Sequence, residues 1–414
     1  MRVLAILLVA TCCVGLAPLA QAKPPAISPE HRARAEAMAA RAIEYLRTQQ
    51  DAETGEWSRN PGGPALPAIS GLVLTGMLLD HEIHASDPHV RKGLNAILAY
   101  QQQDGGIYDS ILPSYNTAIC LSTLALAMDE SGQRLPAAED AIKPAQAFLI
   151  GLQYSEDAIE ETGDELNDAA ARTTARVDRS HPFYGGVGYG RNGRPDNSNL
   201  NLMLQALHDS GVPADHAAYQ RALVFLERTQ MDDRFNDMPY ADHSQQGGFI
   251  YATSPNATEL GRGESKAGEI TETPSGEQPI NRLRAYGSMT YAGFKSFAYA
   301  GLTRTDPRVI AARKWIERHY TLEENPGIGN DGLYYYFMTF ARSLHAWGEP
   351  FVNAGGRVGV VDERSWRNDL IERLEGLQRD DGSFNSVDDR WMENDPVLIT
   401  AYALIAIQHA LLDD

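Results

Sequence analysis

The sequence predicts an all-α protein, an α/α toroid of about six helical hairpins. Three observations point there. An amphipathic helix ending in Leu-x-x-x-Gln recurs along the chain, a Gly-rich turn with an aromatic residue follows it, and a second, more apolar helix follows the turn.

The first helices carry the register at Leu46/Gln50, Leu98/Gln102, Leu149/Gln153, Leu226/Gln230 and Leu374/Gln378, with Ile316/Tyr320 at the same spacing in a sixth copy. Residues one turn apart share a helix face, so the Leu can pack inward while the Gln tends the helix end. Arg and Glu on one face, as in 367–377, turn these helices toward solvent. The turn is clearest at Asp104-Gly105-Gly106-Ile107-Tyr108 and Asp380-Asp381-Gly382-Ser383-Phe384. It recurs as Gly55-Glu56-Trp57, Gly185-Gly186-Val187-Gly188-Tyr189, Gly247-Gly248-Phe249 and Asp331-Gly332-Leu333-Tyr334. Glycine after a helix supplies the left-handed cap, and the aromatic can fold back onto the helix pair. The second helices span 69–79, 118–128, 200–207, 289–300, 335–347 and 398–411. They are apolar nearly all round, which marks them as buried. Six outer–inner pairs suit a closed ring. An open solenoid, the alternative, wants distinct capping repeats, and none stands out.

The first 22 residues read as a secretory signal peptide: Arg2, an apolar run over 3–19, and the small-x-small pattern Ala20-Gln21-Ala22 before Lys23-Pro24-Pro25. Pro18 and the short, Ala-rich run argue against a membrane anchor. Export to the periplasm or the extracellular space is the expectation, followed by a mature chain over 23–414. Cys12 and Cys13 would leave with the signal. Cys120, in an apolar helix, is then expected as a buried structural thiol with no disulfide. The net charge is −19, and −20 once Arg2 is removed, which disfavours nucleic acid and anionic membrane surfaces as partners. No segment after residue 22 is long and apolar enough to span a bilayer.

Two copies carry insertions. Residues 155–180 are acidic and Ala-rich, and 252–283 are rich in Gly, Ser, Thr, Pro and Glu. Both are long for plain loops and fall beside Gly-turns, so they read as functional flaps or as mobile surface excursions. The sequon Asn256-Ala257-Thr258 matters only in a glycosylating host.

The turn element Gln102…Gly106…Tyr108 and Gln378…Gly382…Phe384 resembles the QW repeat of the terpenoid cyclases, a superfamily that includes squalene–hopene cyclases and, more distantly, the β subunits of protein prenyltransferases. The segments 185–189 with Asp196-Asn197-Ser198-Asn199, and 286–290, resemble exported bacterial proteins with prenyltransferase and squalene-oxidase-type repeats. The resemblance spans about residues 35–412 and implies the toroid. Its catalytic motifs are not matched. The Asp-x-Asp-Asp-Thr-Ala acid of class II cyclases has its nearest counterparts in Arg194-Pro195-Asp196-Asn197 and Glu393-Asn394-Asp395-Pro396, each keeping one Asp without the neighbour that would tune it. The zinc set of the prenyltransferases needs Cys and His together, and Cys120 has no His within its helix. An Asp-rich magnesium motif is missing, since Asp380-Asp381 and Asp388-Asp389 are short pairs beside turns, and the Gly-Cys-Gly-Glu-Gln thioester motif is absent. No cofactor and no metal site are expected.

In such a ring the Gly-turns and the starts of the inner helices meet at one mouth, where helix N-termini offer free N–H groups. Asp196, Asp331 and Asp395 fall there and are the candidate catalytic carboxylates. Tyr115, Asn116, Tyr189, Asn199, Tyr286, Tyr335 and Trp391 are the candidate ligand-binding residues. Helix capping by Asp and Asn and core packing by Tyr are the competing explanations. Convergence of aromatics and carboxylates from several repeats on one rim favours a binding site. His181, His243 and His345 form no metal-spaced pair, and no Ser/His/Asp nucleophile stands out.

Three functions compete. The ring could bind a hydrophobic, isoprenoid-like ligand without chemistry. It could be a polysaccharide lyase or glycoside hydrolase using paired carboxylates or a general base. It could be a cyclase or transferase with degenerate motifs. Each implies a small-molecule, lipid or glycan ligand.

Overall fold

The structure is a computed structural model and describes residues 26–57, 63–156, 176–190, 193–273, 278–355, 361–386 and 388–412. The signal-like segment 1–22 and most of the first insertion, 157–175, lie outside the described residues.

Twelve α-helices are found among the described residues, and they alternate between two concentric layers. The outer layer holds α1 (Pro29–Gln49), α3 (Pro88–Leu98), α5 (Pro136–Gly151), α7 (Ala217–Thr229), α9 (Pro307–Arg318) and α11 (Trp366–Glu375). The inner layer holds α2 (Pro67–Leu78), α4 (Pro113–Leu126), α6 (Asn197–Asp209), α8 (Gly287–Tyr299), α10 (Leu333–Ala346) and α12 (Pro396–Leu411). Each inner helix packs on the next, and α12 packs back on α2 and α1, so the ring is closed. The protein is an α/α toroid.

The layers follow from residue type. In α1 only the stripe Ala35, Met38, Ala39, Ala42, Ile43 and Leu46 is buried, whereas α12 is buried from Val397 through Gln408. Six helices begin with Pro after an Asp or Leu cap at 66, 87, 112, 135, 306 and 395, a position where the missing N–H costs nothing.

The recurrent Gln is a seam between repeats rather than a helix-end cap alone. Gln50 Nε2 donates to the carbonyls of Gly55 and His89, at 2.9 and 3.0 Å. Gln153 Nε2 bridges Gly185 and Ala218, both at 2.9 Å, and Gln230 Nε2 bridges Gly247 and Arg308, both at 2.9 Å. In each case the first carbonyl is in the copy's own turn and the second is in the first turn of the next outer helix. Gln378 closes the ring with a variant of this contact, donating to Gly382 and to Met38 in the middle of α1, at 3.1 and 2.9 Å. The turn glycines have φ between +81 and +86° at 185, 247 and 382. A Cβ there would lie 1.9 Å from Arg221 O, 2.6 Å from Ala311 O and 2.3 Å from Arg41 O, so only glycine lets the turn reach the neighbouring helix.

Two copies depart from the register. Gln102 turns back onto Tyr100 and Tyr108 of its own loop. Tyr320 cannot donate twice, and its hydroxyl instead donates to Asp369 Oδ2 of α11 at 2.8 Å. A second repeated contact fixes the turn: the backbone N–H groups of Trp57, Ile107, Phe249 and Phe384 donate to hydroxyls of Ser70, Thr117, Thr290 and Thr400 early in the following inner helix.

The second insertion contains an antiparallel pair, β1 (Glu269–Glu272) with β2 (Ile280–Leu283). Its base holds Glu264, which pairs with Arg194 and Lys266, and these two cations sit over the Tyr251 ring at 5.1 and 4.7 Å. The insertion thereby braces one wall of the mouth. Cys120 is fully buried in α4, and burial raises its thiol pKa. No helix among the described residues is long and apolar enough to cross a membrane.

Candidate functional site

At the N-terminal ends of the inner helices the ring encloses a cavity of about 230 Å3. Tyr115, Tyr189, Tyr251, Tyr286, Tyr335, Tyr402 and Trp391 line it, together with Leu66, Ile69, Leu112, Met289, Met392 and Leu398. Its polar groups are few: the tyrosine hydroxyls, Ser198, Ser288 and the carboxyl of Glu393. The hydroxyls are tied in pairs, Tyr115 to Tyr402 at 3.2 Å and Tyr335 to Ser198 at 2.9 Å. Burial pushes the phenol pKa of Tyr115 up to about 12, so this layer stays protonated and neutral.

The entrance is apolar. Tyr189, Trp391 and Met392 keep 37, 46 and 39% of their surface exposed around it. It is also strained: Leu112, Trp391 and Met392 have φ of +50, +56 and +66°, so three of the four non-glycine residues with positive φ among the described residues are in the cavity lining. Each such residue costs on the order of 1–3 kcal/mol, and strain of this kind gathers at ligand clamps and active sites. Trp391 is held against Gly332, where a Cβ would meet its ring at 3.0 Å.

Among the residues singled out from the sequence, Tyr115, Tyr189, Tyr286, Tyr335 and Trp391 converge on the cavity. Asn116 and Asn199 do not. Asn116 is fully buried, and its Oδ1 accepts from Ala68 N at 3.0 Å, capping α2, which has no side-chain cap of its own. Asn199 donates through Nδ2 to both oxygens of Asp196, at 3.1 and 2.9 Å.

The three aspartates are not brought together. Asp395 accepts from Val397 N at 2.8 Å and caps its own helix, α12. Asp331 lies outside the cavity lining in an ion pair with Arg390. Asp196 is fully buried behind the wall, capping α6 through Asn199 N at 2.9 Å. Burial raises its carboxyl pKa to about 6, against the opposing pull of the Asn199 hydrogen bonds, the Arg194 charge and a hydrogen bond from Tyr251. The capping demand of helix N-termini accounts for the placement of Asp196 and Asp395, whereas Asp331 is engaged by Arg390.

The carboxyl that does line the cavity is Glu393, which the sequence placed only as a neighbour of Trp391 and Asp395. It is 1% exposed. Its Oε1 accepts from the N–H groups of Tyr334 and Tyr335, at 3.0 and 2.9 Å, at the start of α10, whose own N-cap, Gly332, has no side chain. Its Oε2 has no hydrogen-bond partner. Burial raises the pKa to about 7, with the backbone donors at Tyr335 and Tyr334 opposing. The result is a carboxyl fixed by one oxygen, with the other free to carry a proton. Tyr251 and Tyr402 were also missed. Tyr402 sits in the apolar run of α12 and is indistinguishable by pattern from core, whereas Tyr251 follows the Gly247-Gly248-Phe249 turn by two residues.

The candidate histidines are elsewhere. The His181 ring accepts from Phe183 N at 3.1 Å, His243 is exposed in a loop with φ of +63°, and His345 packs 5.2 Å from the His409 ring at the opposite end of the inner layer.

The fold is similar to that of the type II terpene cyclase MstE from Scytonema, in a complex with geranylgeranyl dihydroxybenzoate, with 13% identity and a TM-score of 0.52 over 93% of this chain and 99% of that one. It is similar to the same degree to the α-1,6-mannanase GH76A of Salegentibacter sp. HEL1_6, in an inactive variant with α-1,6-mannotriose: 10% identity and a TM-score of 0.53 over 91% of this chain and 98% of that one. Both are α/α toroids, and at these identities the likeness is one of fold. No family model and no curated protein matches the chain.

Proposed function

We propose that the ring is a binding chamber for a mostly apolar, isoprenoid-like small molecule. The observation that carries this reading is the wall itself, six tyrosines and a tryptophan closed over leucine, isoleucine and methionine with few polar groups. Transfer of such a ligand from water is favourable at roughly 25 cal/mol per Å2 of apolar surface removed, and the tyrosine hydroxyls and the Glu393 carboxyl orient a single oxygen-bearing end. The enclosed volume is below the roughly 300–1,000 Å3 of common ligand sites. It suits a small terpenoid body or one end of a longer chain leaving past Trp391 and Tyr189. An exported address and membership of the cyclase-like superfamily, both suggested by the sequence, are part of the same proposal.

One observation favours a second reading, in which the chamber is catalytic. Glu393, with its pKa near 7 and a free oxygen, has the attributes of a general acid. A carboxyl that weak can protonate an ether or glycosidic oxygen, but it is ill-suited to an alkene. The cavity wall offers a glycan few partners for its many hydroxyls, so binding ranks first.

Calorimetric titration with farnesol, a neutral isoprenoid alcohol, and with mannotriose separates the readings. Saturable farnesol binding, weakened at least about tenfold by Tyr286→Ala or Tyr335→Ala, and no mannotriose binding, is the expected result. Mannotriose binding, or its cleavage abolished by Glu393→Gln, would transfer the assignment to the glycan enzyme.

A further inference from the structure

Below the tyrosine layer, toward the C-terminal ends of the inner helices, lies a second group of buried polar side chains that the chamber does not use. Lys295 of α8 is 1% exposed and Arg342 of α10 is 5% exposed. His409 of α12 is half-buried with a fully buried Nδ1, and it feels the charges of Arg342, His345, Lys295 and Arg367. Arg342 lies within electrostatic reach of the Tyr335 and Tyr402 hydroxyls of the chamber floor.

The group is short of negative charge. Asp209, the last residue of α6, is the one carboxylate that acts on both Lys295 and Arg342, but it is within ion-pair distance of neither and accepts instead from Gln205 Nε2 at 2.7 Å. Lys295 Nζ spends one proton on Gln205 Oε1, at 2.6 Å. The guanidinium of Arg342 makes no hydrogen bond among the described residues, and its Nε is wholly buried without a partner, as is His409 Nδ1. Burial holds Lys295 and His409 well below their ordinary pKa values, so each can relieve the charge by staying neutral. An arginine cannot do so in practice, and a buried cation without a counterion is strongly unfavourable.

We propose that this end of the ring is a built site for a small inorganic anion, a halide or a phosphate-like oxyanion, held by Arg342 with Lys295 and His409 around it. The anion supplies an acceptor on one edge of the guanidinium, where the buried Nε has none. It also offsets the field that Arg342 exerts on the floor of the chamber. The site is separate from the chamber, because none of its three residues lines that cavity.

Crystals of the full chain soaked in bromide test it, alongside thermal melts in chloride, phosphate and gluconate at matched ionic strength. Anomalous density within hydrogen-bonding reach of the Arg342 guanidinium is expected. A melting temperature about 2–4 °C higher in the bound anion than in gluconate is expected too. A rise in chloride alone identifies a halide site, and a rise in phosphate alone an oxyanion site. Arg342→Met removes the anion dependence; should that variant not fold, Lys295→Met is expected to weaken it. Melts insensitive to the anion, with no bromide at Arg342, would overturn the proposal.

Discussion

Where one repeat meets the next on the outside of the ring, the same contact is built again and again. Gln50, Gln153, Gln230 and Gln378 each tie a turn glycine's carbonyl to the carbonyl of a following outer helix. At the mouth, the helix starts are finished differently. Asp196 and Asp395 cap their own helices, Asn116 caps α2 from the neighbouring repeat, Asn325 Oδ1 accepts from Ser288 N at 2.9 Å, and Glu393 caps α10 from the next repeat, 59 residues beyond Tyr334 in sequence. Repetition serves the joints, where every copy has the same geometric problem. The mouth is where copies diverge, and divergence there frees one carboxyl and several aromatics to face the cavity.

If the joints are the common structural element, breaking one should cost more than altering any single residue of the mouth. Gly185→Ala should have the largest effect. The new Cβ would sit 1.9 Å from Arg221 O in a residue at φ +81°, and the backbone itself must move. A loss of about 4 kcal/mol or more in unfolding free energy is expected by denaturant titration, or failure to accumulate as folded protein. Stability within about 1 kcal/mol of the parent would mean that the turn does not need its close approach. Gln153→Ala comes next. It strands two buried carbonyls and removes the acceptor of Arg221 Nε, at 2.9 Å, so about 2–4 kcal/mol should be lost. Gln102→Ala should cost much less, because Gln102 stays within its own exposed loop. Equal losses at 102 and 153 would erase the distinction between a seam and a turn.

The same contrast decides what the sequence could disclose. Leu46, Gln50, Gly55 and Trp57, and their counterparts in other copies, recur because the joint recurs, so the toroid and its hairpins were legible from one chain. That each Gln spans two repeats was not, since its second partner is 39 residues away at His89 and 340 away at Met38. The aromatic candidates were legible as residues at inner-helix starts, and five of them line the cavity. The polar candidates were not separable, because an Asp or Asn at a helix start looks the same whether it caps or faces a ligand. Glu393 could have been found by one signal: it precedes Asp395-Pro396, which already has a cap, so its carboxylate has no local duty.

Glu393 is also where the mouth can be tested against the joints with the smallest perturbation. Its carboxyl is raised by burial from the ordinary 4.5 to about 7, so between those values the folded protein holds a proton that the unfolded chain has released. Stability should therefore fall as pH rises from about 4.5 through 7 and level off above. Glu393→Gln keeps an acceptor for Tyr334 N and Tyr335 N but cannot ionise, so it escapes that loss. The variant should gain on the parent by about 3 kcal/mol between pH 4.5 and pH 8, read from urea midpoints across the range. Asp196, raised to about 6, contributes the same sign to both proteins and cancels in the difference. Parallel curves would show that the Glu393 proton is not held by the fold, and with that the chamber would lose its one candidate acid while the seams stood unchanged.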